Sequence, residues 1–180
     1  MKKLVFLTVC LVAFAANGFS QRGYKGEQGV SSVGVIMGHA INNKAFTVGA
    51  DYRYNILNNL RLSPSALYVL KNDDMSSLYL NADAHYLARI TNEITIYPIG
   101  GLGVSVLNYD KTIFNNLEEY YPDHPLAKSD TKVRFGLNLG FGGEMRASKD
   151  IIVGAEFRYN LTSERVYDQA MLLARVAYYF

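Results

Sequence analysis

The stretch AFTVGADYRYNI, Ala45 to Ile56, separates cleanly by parity. Its even positions are Phe46, Val48, Ala50, Tyr52, Tyr54 and Ile56, and its odd positions are Ala45, Thr47, Gly49, Asp51, Arg53 and Asn55. One face is apolar along its whole length; the other carries a carboxylate, a guanidinium and an amide. A two-residue period belongs to a β-strand, whose successive side chains point to opposite faces. The period leaves open whether the apolar face meets a protein core or lipid.

The same division recurs along the chain. Eight strands are predicted, at about residues 31–38, 45–56, 60–71, 77–90, 93–109, 132–146, 151–160 and 170–180. In the fourth, Leu78, Leu80, Ala82, Ala84, Tyr86, Ala88 and Ile90 oppose Tyr79, Asn81, Asp83, His85 and Arg89. In the sixth, Val133, Phe135, Leu137, Leu139 and Phe141 oppose Arg134, Asn138 and Glu144. The seventh sets Ile151, Val153, Ala155, Phe157 and Tyr159 against Glu156 and Arg158, and the eighth sets Leu172 to Phe180 against Arg175. The first strand is short and less clear. No segment holds a helical period, apart from a turn around 113–120.

The chain has 180 residues and a net charge of +2, with 14 Tyr, 9 Phe, 15 Gly and only 4 Pro. That fits a single β-rich domain and lacks the basic excess of a nucleic-acid binder. Lys2 and Lys3, the apolar run Leu4 to Ala16 and the small residues Gly18 and Ser20 are the pattern of a secretory signal peptide. Cleavage is expected after Ser20, giving a leader at 1–20 and one domain at 21–180. The single cysteine, Cys10, falls in the leader, so the mature chain has no disulfide, cysteine metal site or thiol nucleophile.

Connections supply the polarity. Tight turns at 58–59, 91–92 and 148–149 alternate with longer links at 38–44, 71–76, 110–131 and 161–169. A soluble ligand-binding barrel or a β-sandwich also alternates, but short turns on one end and long loops on the other are the layout of a transmembrane barrel. Charges of both signs cluster in mid-strand on the polar faces. The apolar faces end in Tyr54, Tyr68, Tyr109, Tyr159 and Tyr178, as interfacial girdles would. The fold expected is all-β: an eight-stranded antiparallel up-and-down barrel with lipid outside.

The closing LLARVAYYF, with Phe180 last and apolar residues at every second position before it, resembles the C-terminal strand of bacterial outer-membrane proteins. The chain as a whole resembles the small eight-stranded barrels of the OmpX, OmpW and OmpA transmembrane-domain kind. That resemblance implies an outer-membrane location in a Gram-negative bacterium, contact with lipid and lipopolysaccharide, and Tyr178 and Phe180 as a signal read by the barrel-assembly machinery. A looser likeness is to the TraO barrels of conjugative transposons.

An eight-stranded barrel is just wide enough for side chains to fill. Asp51, Arg53, Asp83, His85, Arg89, Glu144, Glu156, Arg158 and Arg175 should therefore form a charge network plugging a polar lumen, since buried charges must be paired. His85 is expected to be a satisfied member of it. The glycines at 101, 103, 136, 140, 142 and 143 read as room for bulky neighbours. No catalytic, cofactor or metal site is expected, nor a nucleic-acid partner, and the barrel should be a monomer. Phe114, Tyr120 and Tyr121, set among acids in the loop at 109–131, form the one candidate contact patch for an extracellular partner. The alternative functions are a narrow porin-like channel and a lipid A-modifying enzyme.

Overall fold

The computed structural model describes residues 28–72, 75–109, 131–163 and 167–180. The leader at 1–20 and the loop residues Phe114, Tyr120 and Tyr121 lie outside them, as does the side chain of Tyr109. The strand segments are β1 (Ser31–Ala40), β2 (Ala45–Leu57), β3 (Leu60–Asn72), β4 (Met75–Tyr86), β5 (Ala88–Arg89), β6 (Ile94–Tyr109), β7 (Thr131–Arg146), β8 (Ile151–Thr162) and β9 (Gln169–Tyr179). Only Leu87 separates β4 from β5, and both pair with β6, so the two make one strand of an eight-stranded sheet.

Every pairing is antiparallel, and β1 meets β9 while β4 meets β6, so the sheet closes on itself without a free edge running its length. The register fixes the shape. From Val35, successive partners Ala50, Ala66 and Leu80 lead one way to Val104 on β6. In the other direction Val176, Val153 and Met145 lead to Ile94, ten residues away on the same strand (104 − 94). At ~3.3 Å per residue and ~4.8 Å between strands, that stagger tilts the strands by about 40° and sets a backbone radius of about 8 Å.

Polarity is inverted relative to a soluble protein. Val35 and Phe135 are 60% and 72% exposed, whereas Arg53 and His85 are 1% and 0% exposed. Large apolar residues cover the outside of every barrel strand, an extent that belongs against lipid rather than water. Tyr54 and Tyr178 near one end and Tyr68 and Phe46 near the other stand on this outer face. The first strand obeys the same rule: its inward positions include Gly34 and Gly38, which blur the contrast in sequence.

Two expectations change. Links at one end are residues 58–59, 90–93 and 147–150; at the other they are 41–44, 73–74, 110–130 and 163–168. The expected link at 71–76 is thus only two residues long, because the ladder continues as far as the pair Asn72–Met75 despite the polar sequence there. The contrast between ends rests on the two later links. The end bearing only short turns, where β1 starts and β9 finishes, is the periplasmic one.

The interior is also not uniformly polar. Ile36, Ala40, Ala45, Leu67, Val69, Tyr79, Met171 and Leu173 form one buried apolar cluster inside the outer half of the barrel. Leu87, Tyr97 and Ile99 form a smaller one near the periplasmic turns. The charged residues lie on the periplasmic side of the first cluster and surround Tyr97 of the second.

Candidate functional site: the charged lumen

Two short sequences build the centre. Asp51 and Arg53 are two apart on β2, and Glu156 and Arg158 are two apart on β8, so each pair shares the inward face of its strand. Arg53 Nε donates to Asp51 Oδ2 at 2.7 Å, and Arg158 Nε donates to Glu156 Oε2 at 2.8 Å. Each strand therefore presents a pre-aligned ion pair to the lumen.

Cross-lumen contacts join these units. Arg53 Nη2 donates to Glu156 Oε1, and Arg53 Nη1 reaches Glu144 Oε2 at 3.2 Å. Arg61 grips Glu144 with both terminal nitrogens, at 2.8 and 2.7 Å, a two-pronged match of guanidinium and carboxylate. Arg158 Nη1 donates to Asp83 Oδ2 at 2.9 Å, and Arg175 Nε donates to Asp51 at 2.8 Å. Arg175, Asp51, Arg53, Glu156, Arg158 and Asp83 thus form a continuous chain, with Glu144 and Arg61 as a branch from Arg53. Four guanidinium groups meet four carboxylates.

Neutral partners complete it. Tyr97 donates to Glu156 Oε1 at 2.8 Å and accepts from Arg53 at 3.0 Å. Asn138 Nδ2 donates to Asp83 at 2.7 Å and to Asn81 at 3.0 Å, and Asn160 in turn donates to Asn138. Ser32 on β1 accepts from Arg175 at 3.1 Å. All eight strands of the barrel are tied into one polar structure.

Glycine makes the room. A Cβ at Gly34 would stand 2.6 Å from Asp51 Oδ1 and 2.7 Å from Arg175 Nε, and one at Gly142 would stand 2.7 Å from the Tyr97 ring. Gly101 and Gly103 likewise back onto Asp83 and Asn81. Gly143 does not: a Cβ there meets nothing closer than 3.8 Å.

Most of the expected residues come together, with one correction. His85 is buried and stacks on Tyr97, ring centroids 4.7 Å apart and planes within 8°, but neither ring nitrogen has a hydrogen-bond partner. It packs against the network rather than joining it, because its cross-strand neighbour Arg61 is turned to Asn55 and Glu144. Arg89 is half-buried on the wall of a small cavity at the periplasmic mouth, which Glu93, Glu144 and Arg146 also line. Arg61 and Tyr97 went unnoticed in the sequence. Parity on β3 places Arg61 with Ser63 and Ser65 and would have found it; β6 has no charged residue and, apart from Thr95, Ser105 and Asn108, is apolar, glycine or tyrosine on both faces, so it offers little contrast for Tyr97.

Tyr178 and Phe180 are exposed on the outer surface at the periplasmic end, ring centroids 6.2 Å apart. Phe180 exchanges two backbone hydrogen bonds of 2.9 Å with Ser31, where the last strand closes on the first. No group of metal-binding side chains occurs among the described residues.

A closed, lipid-facing barrel with a charged interior defines an outer-membrane β-barrel protein of a Gram-negative bacterium. The sequence matches the family described as "Outer membrane protein beta-barrel domain" over residues 4–180, and the chain belongs to that family. Its fold is similar to the N-terminal β-barrel domain of Pseudomonas aeruginosa OprF (14% identity, TM-score 0.66, covering 85% of this chain and 98% of that one). It is similar also to Neisserial surface protein A (16%, 0.60, 84% and 96%) and to Ail, the attachment invasion locus protein of Yersinia pestis (15%, 0.56, 85% and 99%). No curated protein matches the sequence.

Proposed function

We propose that this protein is a non-enzymatic, monomeric scaffold with a closed lumen, which holds its outer loops at the cell surface for contact with an extracellular partner. The observation that carries this reading is the paired network of four arginines and four carboxylates, linked to all eight strands, with a buried apolar cluster on its outer side. Such an interior favours a filled barrel over a porin-like channel. The charged side chains of mid-strand turn inward, away from the lipid where an acyl-modifying enzyme would need them.

The partner-facing element is the link at 110–130. It carries Asp110, Glu118, Glu119, Asp123 and Asp130 against Lys111 and Lys128, with Phe114, Tyr120 and Tyr121 among them. Acids with aromatics suit a protein surface bearing basic and apolar groups. A sulfated polyanion, such as the heparin analogue sucrose octasulfate seen in complex with Ail, would be repelled. Loops on a rigid scaffold are where such contacts are made. Tyr178 and Phe180 are the residues proposed for recognition during assembly.

The test replaces residues 110–130 with a short Gly-Ser link. Heat-modifiable gel mobility should persist, and binding of whole cells to immobilised host or neighbour-cell protein should fall. Unchanged binding would remove the loop from this role. A lipid A mass profile that differs between a deletion strain and its parent would reinstate the enzyme.

A further inference from the structure

The lumen is closed by two chemically different layers, and they need not contribute equally to stopping ions. In the outer half, β9, β1, β3 and β4 present Leu173, Met171, Ile36, Leu67, Val69 and Tyr79, each no more than 2% exposed, and β2 adds Ala45, 4% exposed, to the same cluster. These strands are consecutive around the barrel, so the apolar arc covers five of its eight strands. The amides of Asn160 on β8, Asn138 on β7 and Asn81 on β4 reach from the remaining wall to the edge of the arc: Asn160 donates to Asn138, which donates to Asn81 and Asp83. Beneath this level lies the ionic layer.

We infer that the outer apolar arc is the permeability barrier, and that the ionic layer fixes strand position without itself stopping ions. This rests on the closed-lumen reading above. An ion or water file entering from outside meets mainly alkyl and ring carbon, broken by the hydroxyls of Thr47 and Ser77, and then amides that are bonded to one another. Neither exchanges for a hydration shell, and a narrow apolar constriction empties of water. The ionic layer differs in kind: it is made of donors and acceptors that can trade one another for water. Buried polar atoms without a hydrogen-bond partner occur at both levels, Ser63 Oγ and Arg175 Nη1 in the ionic layer and the hydroxyls of Thr47 and Ser77 beside Val69 in the arc, but only the arc carries no charge and is lined mainly by carbon.

Potassium efflux from proteoliposomes separates the layers. Three proteins are compared, each first shown to be folded by heat-modifiable mobility: the native chain, Leu67→Asn with Leu173→Asn, and Asp51→Asn with Arg175→Met, which removes an ion pair while leaving the arc intact. The native protein and the ion-pair variant should be tight, and the arc variant should leak at least tenfold faster. If the arc double variant does not fold, Val69→Thr, nearly the same shape but carrying a hydroxyl, should leak in the same direction. Leakage through the ion-pair variant with a tight arc variant, or tightness in every folded variant, would overturn the inference alone. Rapid efflux through the native protein would instead overturn the closed-lumen reading.

Discussion

Arg53 and Glu144 stand on β2 and β7, four strands apart in either direction round the barrel, yet their side chains meet at 3.2 Å. A contact between opposite walls divides the interior at that level. The backbone radius of about 8 Å given by the ten-residue stagger puts opposite walls about 16 Å apart, which two long inward side chains can span. Four arginines and four carboxylates, each arginine in at least one ion pair, turn this contact into a layer.

Removing one member of that layer strands its partners in a medium of low polarity, which costs about 3–5 kcal/mol. Glu156→Gln and Arg53→Met should each destabilise by that order in urea unfolding from lipid vesicles. The double variant should lose much less than the sum, since each loss already includes the other's stranded charge. Additive losses would show that the two groups do not interact.

Gly34→Ala and Gly100→Ala should part company. The first drives a methyl against Asp51 and Arg175, while the second meets nothing within 4 Å. Overpacking of a filled interior costs about 1–3 kcal/mol, so Gly34→Ala should unfold at clearly lower urea and Gly100→Ala near the native midpoint. Equal midpoints would mean that the ion pair has slack to move.

On the outer face, Ala50 lies midway along β2 between Phe46 and Tyr54. Ala50→Arg should cost about 2–4 kcal/mol, the penalty for a cation at the centre of the apolar band. Leu57→Arg, at the turn end of the same strand, should cost much less. A penalty independent of depth would contradict lipid on that face.

Phe180→Lys should lower the amount of folded protein in the outer membrane, because the terminal aromatic is proposed as the residue read during assembly. Its two backbone bonds to Ser31 do not depend on the side chain. Refolding of the purified variant into vesicles should therefore stay near native. Normal outer-membrane levels would remove Phe180 from that role.

Much of this was legible in the chain. The alternation around Asp51 and Arg53 gave strand, face and charge pair at once, because lipid outside and a polar interior set opposite demands on neighbouring residues. Where both faces are apolar or small, as along Tyr97 to Leu107, parity carries no information, and Tyr97 was lost. The buried Leu173 was hidden for a related reason: it sits on the face read as polar from Arg175, and parity reports direction without depth. His85 illustrates a third limit. Its position inside followed from the pattern, but its partner depended on which way Arg61 turned, a contact 24 residues away in sequence (85 − 61).

Single-channel recording of the purified native protein in planar bilayers tests the closed lumen most directly. A filled barrel predicts a bilayer that stays at its baseline conductance after insertion, with no resolvable unit steps at neutral pH. Sustained, reproducible open steps from the same folded preparation would show a water-filled path through the layer that Arg53 and Glu144 bridge, and the closed lumen would be contradicted.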